Sequence, residues 1–349
     1  MQEIKSEYID NEPEHILLYG QVQGGKTKSI IELIKKSPND YFVIVVQNSL
    51  LVLNQYKERL TAQDISFIVI DKYTIKVNKK CNVMIVMNNV YRYRYFNATI
   101  EKNLINENYK NGNYTLILDE SDLTIRNCPL RSKKTYHVTA TPFNSFGYNK
   151  VIKIPFEENY YDISKLNVNI YSERNIYSER NEYSEIQGDD NIIRNFLKKE
   201  GKQMMLINKY NRVKIMTEYA EELTIKYKEI PIVLLTSHRY LYLNGKKKVL
   251  SRSITKIIDS LSKHSHIIFI ANRLSDRGLS YTSSDYSRHL THQIARVRPN
   301  MTSFIQSLRI LGIYNDNPEL NIYIHEDQEI LFKKHIDKYL NFDTSSKLQ

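Results

Sequence analysis

The stretch Gly20-Gln-Val-Gln-Gly-Gly-Lys-Thr27 limits what this chain can fold into more than any other. It follows a short apolar run at 15–19 and opens a segment with helical spacing at 29–35. Strand, glycine loop, helix is the context a phosphate-binding loop requires, and the pattern G-x-x-x-x-G-K-T is complete. Gly20, Gly24 and Gly25 let the backbone approach closely, so that its N–H groups can surround phosphate oxygens. The helix N-terminus adds partial positive charge. Lys26 can reach the β- and γ-phosphates, and the Thr27 hydroxyl can ligate Mg2+. A glycine-rich turn with a solvated lysine is the plainer reading, and the flanks weigh against it. The loop says nucleotide; it does not say what the nucleotide is used for.

The 349 residues suit two domains of ordinary size. A net charge of +11 favours polyanionic partners, nucleic acid or an acidic membrane face. The two cysteines, Cys81 and Cys128, have no metal-ligand spacing, so a reducing interior, cytoplasmic or nuclear, is expected. The polar first residues do not read as a signal peptide. No apolar run approaches the roughly 20 residues of a membrane span, so no membrane partner is expected.

Short, nearly continuous apolar runs recur at 41–46, 65–70, 83–87, 114–118, 135–139 and 151–155, separated by helical or polar segments. That is how buried parallel strands of an α/β sheet read. Residues 157–188 differ. They carry a short repeat, Asn-Ile-Tyr-Ser-Glu-Arg, too brief for a solenoid, and are expected to form an exposed linker or a local hairpin. A second α/β half follows, with strands at 203–207, 231–235 and 266–270, near His289 and at 321–324, and a turn at Asn244-Gly245. The expected domains are 1–156 and 189–349, with the phosphate loop in the first only.

The second chemical signal is Asp-Glu-Ser-Asp at 119–122, delivered by the apolar run before it to the strand end where α/β sheets place ligands. Asp119 would hold Mg2+, and Glu120 would orient and deprotonate an attacking water. Thr139-Ala-Thr141 follows another strand, where its hydroxyls can bond the acidic cluster. Tyr91-Arg-Tyr-Arg-Tyr-Phe96 interleaves basic and aromatic residues, suited to phosphate contacts and stacking or to a plain amphipathic surface.

G-x-x-x-x-G-K-T, then D-E-S-D, then T-A-T, then an α/β half without a phosphate loop, resembles the superfamily 2 helicases and translocases. The resemblance runs from about residue 15 to 325. It implies an α/β fold of two tandem RecA-like domains with mainly parallel sheets, ATP with Mg2+ clamped between them, and DNA or RNA, as a single strand or tailed duplex, across their tops. Gln47 resembles the motif that contacts the nucleic-acid backbone. Arg277 and Gly278 resemble the fifth motif, which touches both ATP and nucleic acid. Two segments resemble the sixth motif, which supplies arginine fingers. Arg309 is favoured, expected on the helix after the strand near His289 and on one helical face with Gln306. Arg296 and Arg298 are the other candidates, or contact phosphate instead. A narrower resemblance is to helicases of large DNA viruses and phages, which implies replication or transcription partner proteins. The function so implied is a nucleic-acid-dependent ATPase that moves on or unwinds its polymer; the alternative is a helicase-shaped clamp or remodeller without processive unwinding.

Overall fold

A computed structural model describes residues 13–72, 81–102, 106–124, 128–141, 147–155, 157–172, 186–210, 212–236, 238–250, 253–272 and 279–341. The described residues divide into two compact units, one of residues 13–20 and 26–154, the other of residues 21–25 and 155–341. Arg277, Gly278 and most of the hexapeptide repeat lie outside the described residues.

The first unit runs β1 (Glu14–Tyr19), α1 (Lys26–Lys36), β2 (Phe42–Val46), α2 (Leu50–Thr61), β3 (Phe67–Val69), β4 (Val83–Met87), α3 (Val90–Glu101), α4 (Glu107–Lys110), β5 (Thr115–Asp119), α5 (Ser121–Thr124), β6 (Lys134–Thr139) and β7 (Lys150–Lys153). Its seven strands lie in the order β3-β4-β2-β5-β6-β1-β7, every pair parallel. The inner strands β2 (FVIVV) and β4 (VMIVM) are buried at every position, because helices cover both faces of a parallel sheet and no residue has a solvent side. The edge strands β3 and β7 keep partial exposure. Helix α1 buries Ile30, Ile31 and Ile34, a spacing that keeps one face on the sheet, and ends on Lys35 and Lys36, where cations suit the helix dipole.

The second unit runs β8 (Tyr160–Tyr161), β9 (Asn167–Tyr171), α6 (Ile186–Leu197), β10 (Gln203–Asn208), α7 (Val213–Lys226), β11 (Ile232–Leu235), β12 (Arg239–Leu243), β13 (Lys246–Leu250), α8 (Ile254–Ser260), β14 (His266–Ala271), β15 (His292–Ala295), α9 (Met301–Ser307), β16 (Gly312–Ile313), β17 (Asn321–His325) and α10 (Glu329–Leu340). Eight strands lie in the order β13-β12-β11-β14-β10-β15-β17-β9. All are parallel except the β12–β13 hairpin and its junction with β11. The hairpin turns at Asn244 and Gly245, with φ of 51° and 69°, values these two residue types accept readily. A small antiparallel pair joins β8 to β16.

Three differences from the sequence-based expectations stand out. Asn167–Tyr171, inside the stretch read as linker, is a strand that pairs in parallel with β17 at the sheet edge. Its Val168 and Ile170 alternate with Asn167 and Asn169, a period-two pattern that the hexapeptide repeat masked. The strand expected near His289 is β15, starting at His292; His289 forms an isolated bridge with Thr282. Helix α9 ends at Ser307, so Arg309 is not helical and does not share a helical face with Gln306.

Candidate functional site

Strand order builds the first-unit site. β5, β6 and β1 are neighbours, and their C-terminal ends are level: Tyr19 pairs with Thr139, and Asp119 with Val138. The glycine loop, the Asp119-Glu120 pair and the Thr139-to-Thr141 turn therefore leave one edge of one sheet side by side. Gln47 leaves the same edge at the end of β2, which neighbours β5. Its Oε1 is buried and has no hydrogen-bond partner among the described residues.

The loop backbone requires its glycines. Gly25 has φ +84°, a left-handed conformation that L side chains strain to adopt. A Cβ on Gly24 would lie 3.1 Å from the Gln21 carbonyl oxygen, and one on Gly20 would lie 2.9 Å from Ile154 Cδ1. Gln23 also has positive φ, at 54°. Lys26 opens α1 and is only 9% exposed, with Nζ 3.5 Å from the Gly20 carbonyl. A lysine is buried this far only where anions repay its lost hydration. Thr27 follows it, half-buried at the helix start.

Asp119 and Glu120 are both buried. Burial, and then the charge of Glu120, push the Asp119 carboxyl up to about 7, while Tyr56 and Lys26 pull it down. Glu120 turns the chain out of β5 with φ 49°, and its Oε2 is buried without a hydrogen-bond partner among the described residues. Strain and an unsatisfied carboxylate at a strand end are tolerated where function needs them. Thr139 Oγ1 donates to Asp122 Oδ1 at 3.3 Å and accepts from the Thr141 N–H at 3.0 Å, which ties the β6 exit to the acidic segment. Thr124 Oγ1 donates to the Asp119 carbonyl at 3.2 Å.

Tyr56 was not singled out from sequence. It is buried on α2 close to Asp119, and its hydroxyl makes no hydrogen bond among the described residues. The available signal was a polar ring tip on the apolar face of a helix packed beside the site. Burial, and then Asp119, raise its own ionisation well above the ordinary phenol range, so it remains a neutral donor.

In the second unit Gln306 is buried in α9, and Arg309 follows the helix. The Arg309 guanidinium is buried and engaged. Nε donates to the Leu279 carbonyl at 3.1 Å, Nη2 donates to the same oxygen, and Nη1 donates to the Gln306 carbonyl at 3.2 Å. The backbone around it is held by Gln293 of β15, fully buried. Gln293 Nε2 donates to the Ser307 carbonyl at 2.8 Å and to Asn208 Oδ1 at 3.1 Å, and its Oε1 accepts from the Ile310 N–H at 3.1 Å. Arg296 leaves the C-terminal end of β15 exposed; Arg298 is half-buried, and its carbonyl accepts from His335 Nε2 at 2.8 Å.

Among the described residues no cluster of three or more His, Cys, Asp or Glu side chains forms a metal site. A magnesium site of the phosphate-bridging kind does not need one, because it uses one or two protein oxygens together with water and phosphate. The buried Asp119-Glu120 pair, with Glu120 Oε2 lacking a partner among the described residues, fits such an ion, to which Thr27 at the start of α1 could add its hydroxyl. Among the described residues no helix is long and apolar enough to cross a membrane.

The two α/β units, each RecA-like, have a fold similar to that of solved helicase structures. The fold matches the DEAD-box helicase Mss116 bound to single-stranded RNA and UDP-BeF with a TM-score of 0.58 at 12% identity, over 94% of this chain and 70% of that one. Dbp5 of S. cerevisiae, bound to RNA and ADP BeF3, matches with a TM-score of 0.59 at 12% identity, over 95% and 84%. RecG bound to a three-way DNA junction matches with a TM-score of 0.51 at 13% identity, over 95% of this chain but 42% of RecG. No family model matches the sequence. No curated protein matches it either.

Proposed function

We propose that the chain is a nucleic-acid-dependent ATPase that works as a helicase or translocase. The observation that carries this reading is the level end of β1, β6 and β5, which sets the glycine loop, Asp119-Glu120 and Thr139 side by side. The backbone N–H groups of 20–25 and the ammonium of Lys26 bind the triphosphate of ATP. Thr27 and Asp119 would hold Mg2+, which when bound neutralises charge building on the phosphate oxygens. Glu120 takes the proton of the attacking water; its unpartnered Oε2 suits a group whose partner is substrate-side. The Tyr56 hydroxyl, buried near Asp119 and unpartnered among the described residues, is a donor available to the acidic pair or to its ligands. Thr139, bonded to Asp122, links the acidic segment to the β6 exit and so offers a route from nucleotide state to polymer grip.

For the arginine that answers charge on the γ-phosphate, the proposal moves to Arg296, with Arg298 beside it. Arg309 remains in the scheme as the post that holds Leu279, next to the Arg277-Gly278 segment proposed to sense both ligands. Its helical placement does not hold, and its guanidinium already serves two carbonyls. The two α/β units are proposed as the two working parts, the second taking in β8 and β9 from the stretch read as linker, and DNA or RNA as the polymer, consistent with a net charge of +11 and with the nucleic-acid complexes among the structural matches. The reading is tested by ATP hydrolysis with and without polymer. Failure of both single-stranded DNA and RNA to stimulate turnover would contradict it.

A further inference from the structure

The first sheet carries a second hollow on the same edge, on the far side of β5 from the glycine loop. It is a cavity of about 600 Å3 past the ends of β2, β3 and β4. Met87, buried at the end of β4, contributes to its lining. Tyr91 and Tyr95 border it from α3, four residues apart and so on one helical face. Tyr91 is 68% exposed, so the face of its ring is open to a ligand. On the opposite border Asn89 donates Nδ2 to Asn48 Oδ1 at 2.8 Å, and its own Oδ1 caps α3 by accepting from the Arg92 N–H at 3.0 Å. The Asn48 amide is thereby held at the rim.

Two cationic side chains, Arg92 and Lys72, also line the hollow, with Asp71 beside them. Arg92 Nη1 donates to the Ile70 carbonyl at 3.2 Å and stands 4.0 Å from Asp71. With Arg92 turned to the Ile70 carbonyl and to Asp71, the hollow presents an aromatic face and an oriented amide, with Lys72 at its border. That combination recognises a flat heterocycle with a hydrogen-bonding edge. We propose that the hollow receives an unpaired base of a nucleic-acid strand, with Tyr91 stacking on the base and the Asn48 amide meeting its edge. The site grips by base, in addition to whatever grip the strand backbone receives. The inference rests on the nucleic-acid reading above.

The test is fluorescence anisotropy of the full chain with a labelled short oligothymidylate and an abasic strand of the same length, repeated with oligouridylate and abasic RNA. The preference is scored in whichever sugar type binds. The base-bearing strand is expected to bind about tenfold more tightly than the abasic one. Tyr91→Ala removes that preference and leaves abasic binding unchanged; Tyr91→Phe, which keeps the ring, retains it. Tyr91 is largely exposed, so the melting temperature of Tyr91→Ala should match the parent. Equal binding of base-bearing and abasic strands, or a preference that survives Tyr91→Ala, overturns the base site and leaves the nucleic-acid reading standing. Binding of none of the strands overturns both.

Discussion

The Arg309 guanidinium is bound to the Leu279 carbonyl, with Nε donating at 3.1 Å and Nη2 reaching the same oxygen. This one side chain joins the segment after α9 to the residue that follows the Arg-Gly pair at 277–278. Its removal would leave two buried carbonyls unserved, those of Leu279 and Gln306. Arg309→Ala should therefore cost about 2–4 kcal/mol of stability, read by denaturant unfolding. Arg296→Ala, at an exposed position, should leave stability unchanged and lower polymer-stimulated ATP turnover by about a thousandfold. The reverse pattern, a stable but inactive Arg309→Ala beside a fully active Arg296→Ala, would return the finger to Arg309.

Lys26 and Glu120 should separate binding from chemistry. Lys26→Ala removes the ammonium from the loop and should abolish nucleotide binding as well as turnover. Glu120→Gln keeps the shape of the side chain but cannot take a proton, so nucleotide should still bind while turnover falls by about 10²–10⁴-fold. A fluorescent ATP analogue titrated into each variant, alongside a phosphate-release assay, checks this. Normal hydrolysis by either variant would sink the assignment.

Gly25→Ala tests the loop conformation apart from packing. No atom lies within 4 Å of the added Cβ, so any effect comes from φ +84° alone. About 1–2 kcal/mol of strain is expected, with weaker nucleotide binding as the loop relaxes. Unchanged affinity and unchanged melting temperature would mean that the loop tolerates another path.

Acid should destabilise the protein through its buried histidines. Burial, and then His15, lower His137 to about 3; burial, and then Lys199, lower His292 to about 4. Both fold neutral, whereas the unfolded chain takes up protons near 6.5. Their contribution is therefore fully present above about pH 6.5 and is lost as pH falls toward the folded values. At about pH 5.5 each should have cost about 1.4 kcal/mol. Melting curves between neutral and acid pH should fall steadily, with a shallower slope in His137→Gln. A flat profile, or a slope that His137→Gln leaves alone, contradicts the assignment.

The sequence was most legible where a local pattern and a sheet rule agreed. The runs at 41–46 and 83–87 became β2 and β4 because continuous apolar stretches can only be buried on both faces. Asn244-Gly245 announced its hairpin through backbone preference alone. The acidic pair and the glycine loop were visible as motifs, but their adjacency was not, since it depends on β6 inserting between β1 and β5. Tyr56 and Gln293 escaped for the same reason. Each is a polar residue in an apolar face, and only tertiary packing shows what its polar atoms meet. The sixth-motif resemblance puts Arg309 on a helix, but α9 ends at Ser307. The chain leaves the helix there, and Gln293 captures its backbone instead. β9 was hidden by a repeat whose polar letters outweighed its alternating Val168 and Ile170.

The central claim is tested most directly by steady-state ATP hydrolysis of the purified chain, alone and with single-stranded DNA, single-stranded RNA or duplex DNA at low salt. The account predicts slow basal turnover, strong stimulation by a single-stranded polymer, and loss of that stimulation as salt rises and phosphate contacts are screened. Turnover equally fast with every polymer and with none would make the chain an ATPase that does not act on nucleic acid. No turnover under any condition would contradict the catalytic reading of Asp119 and Glu120.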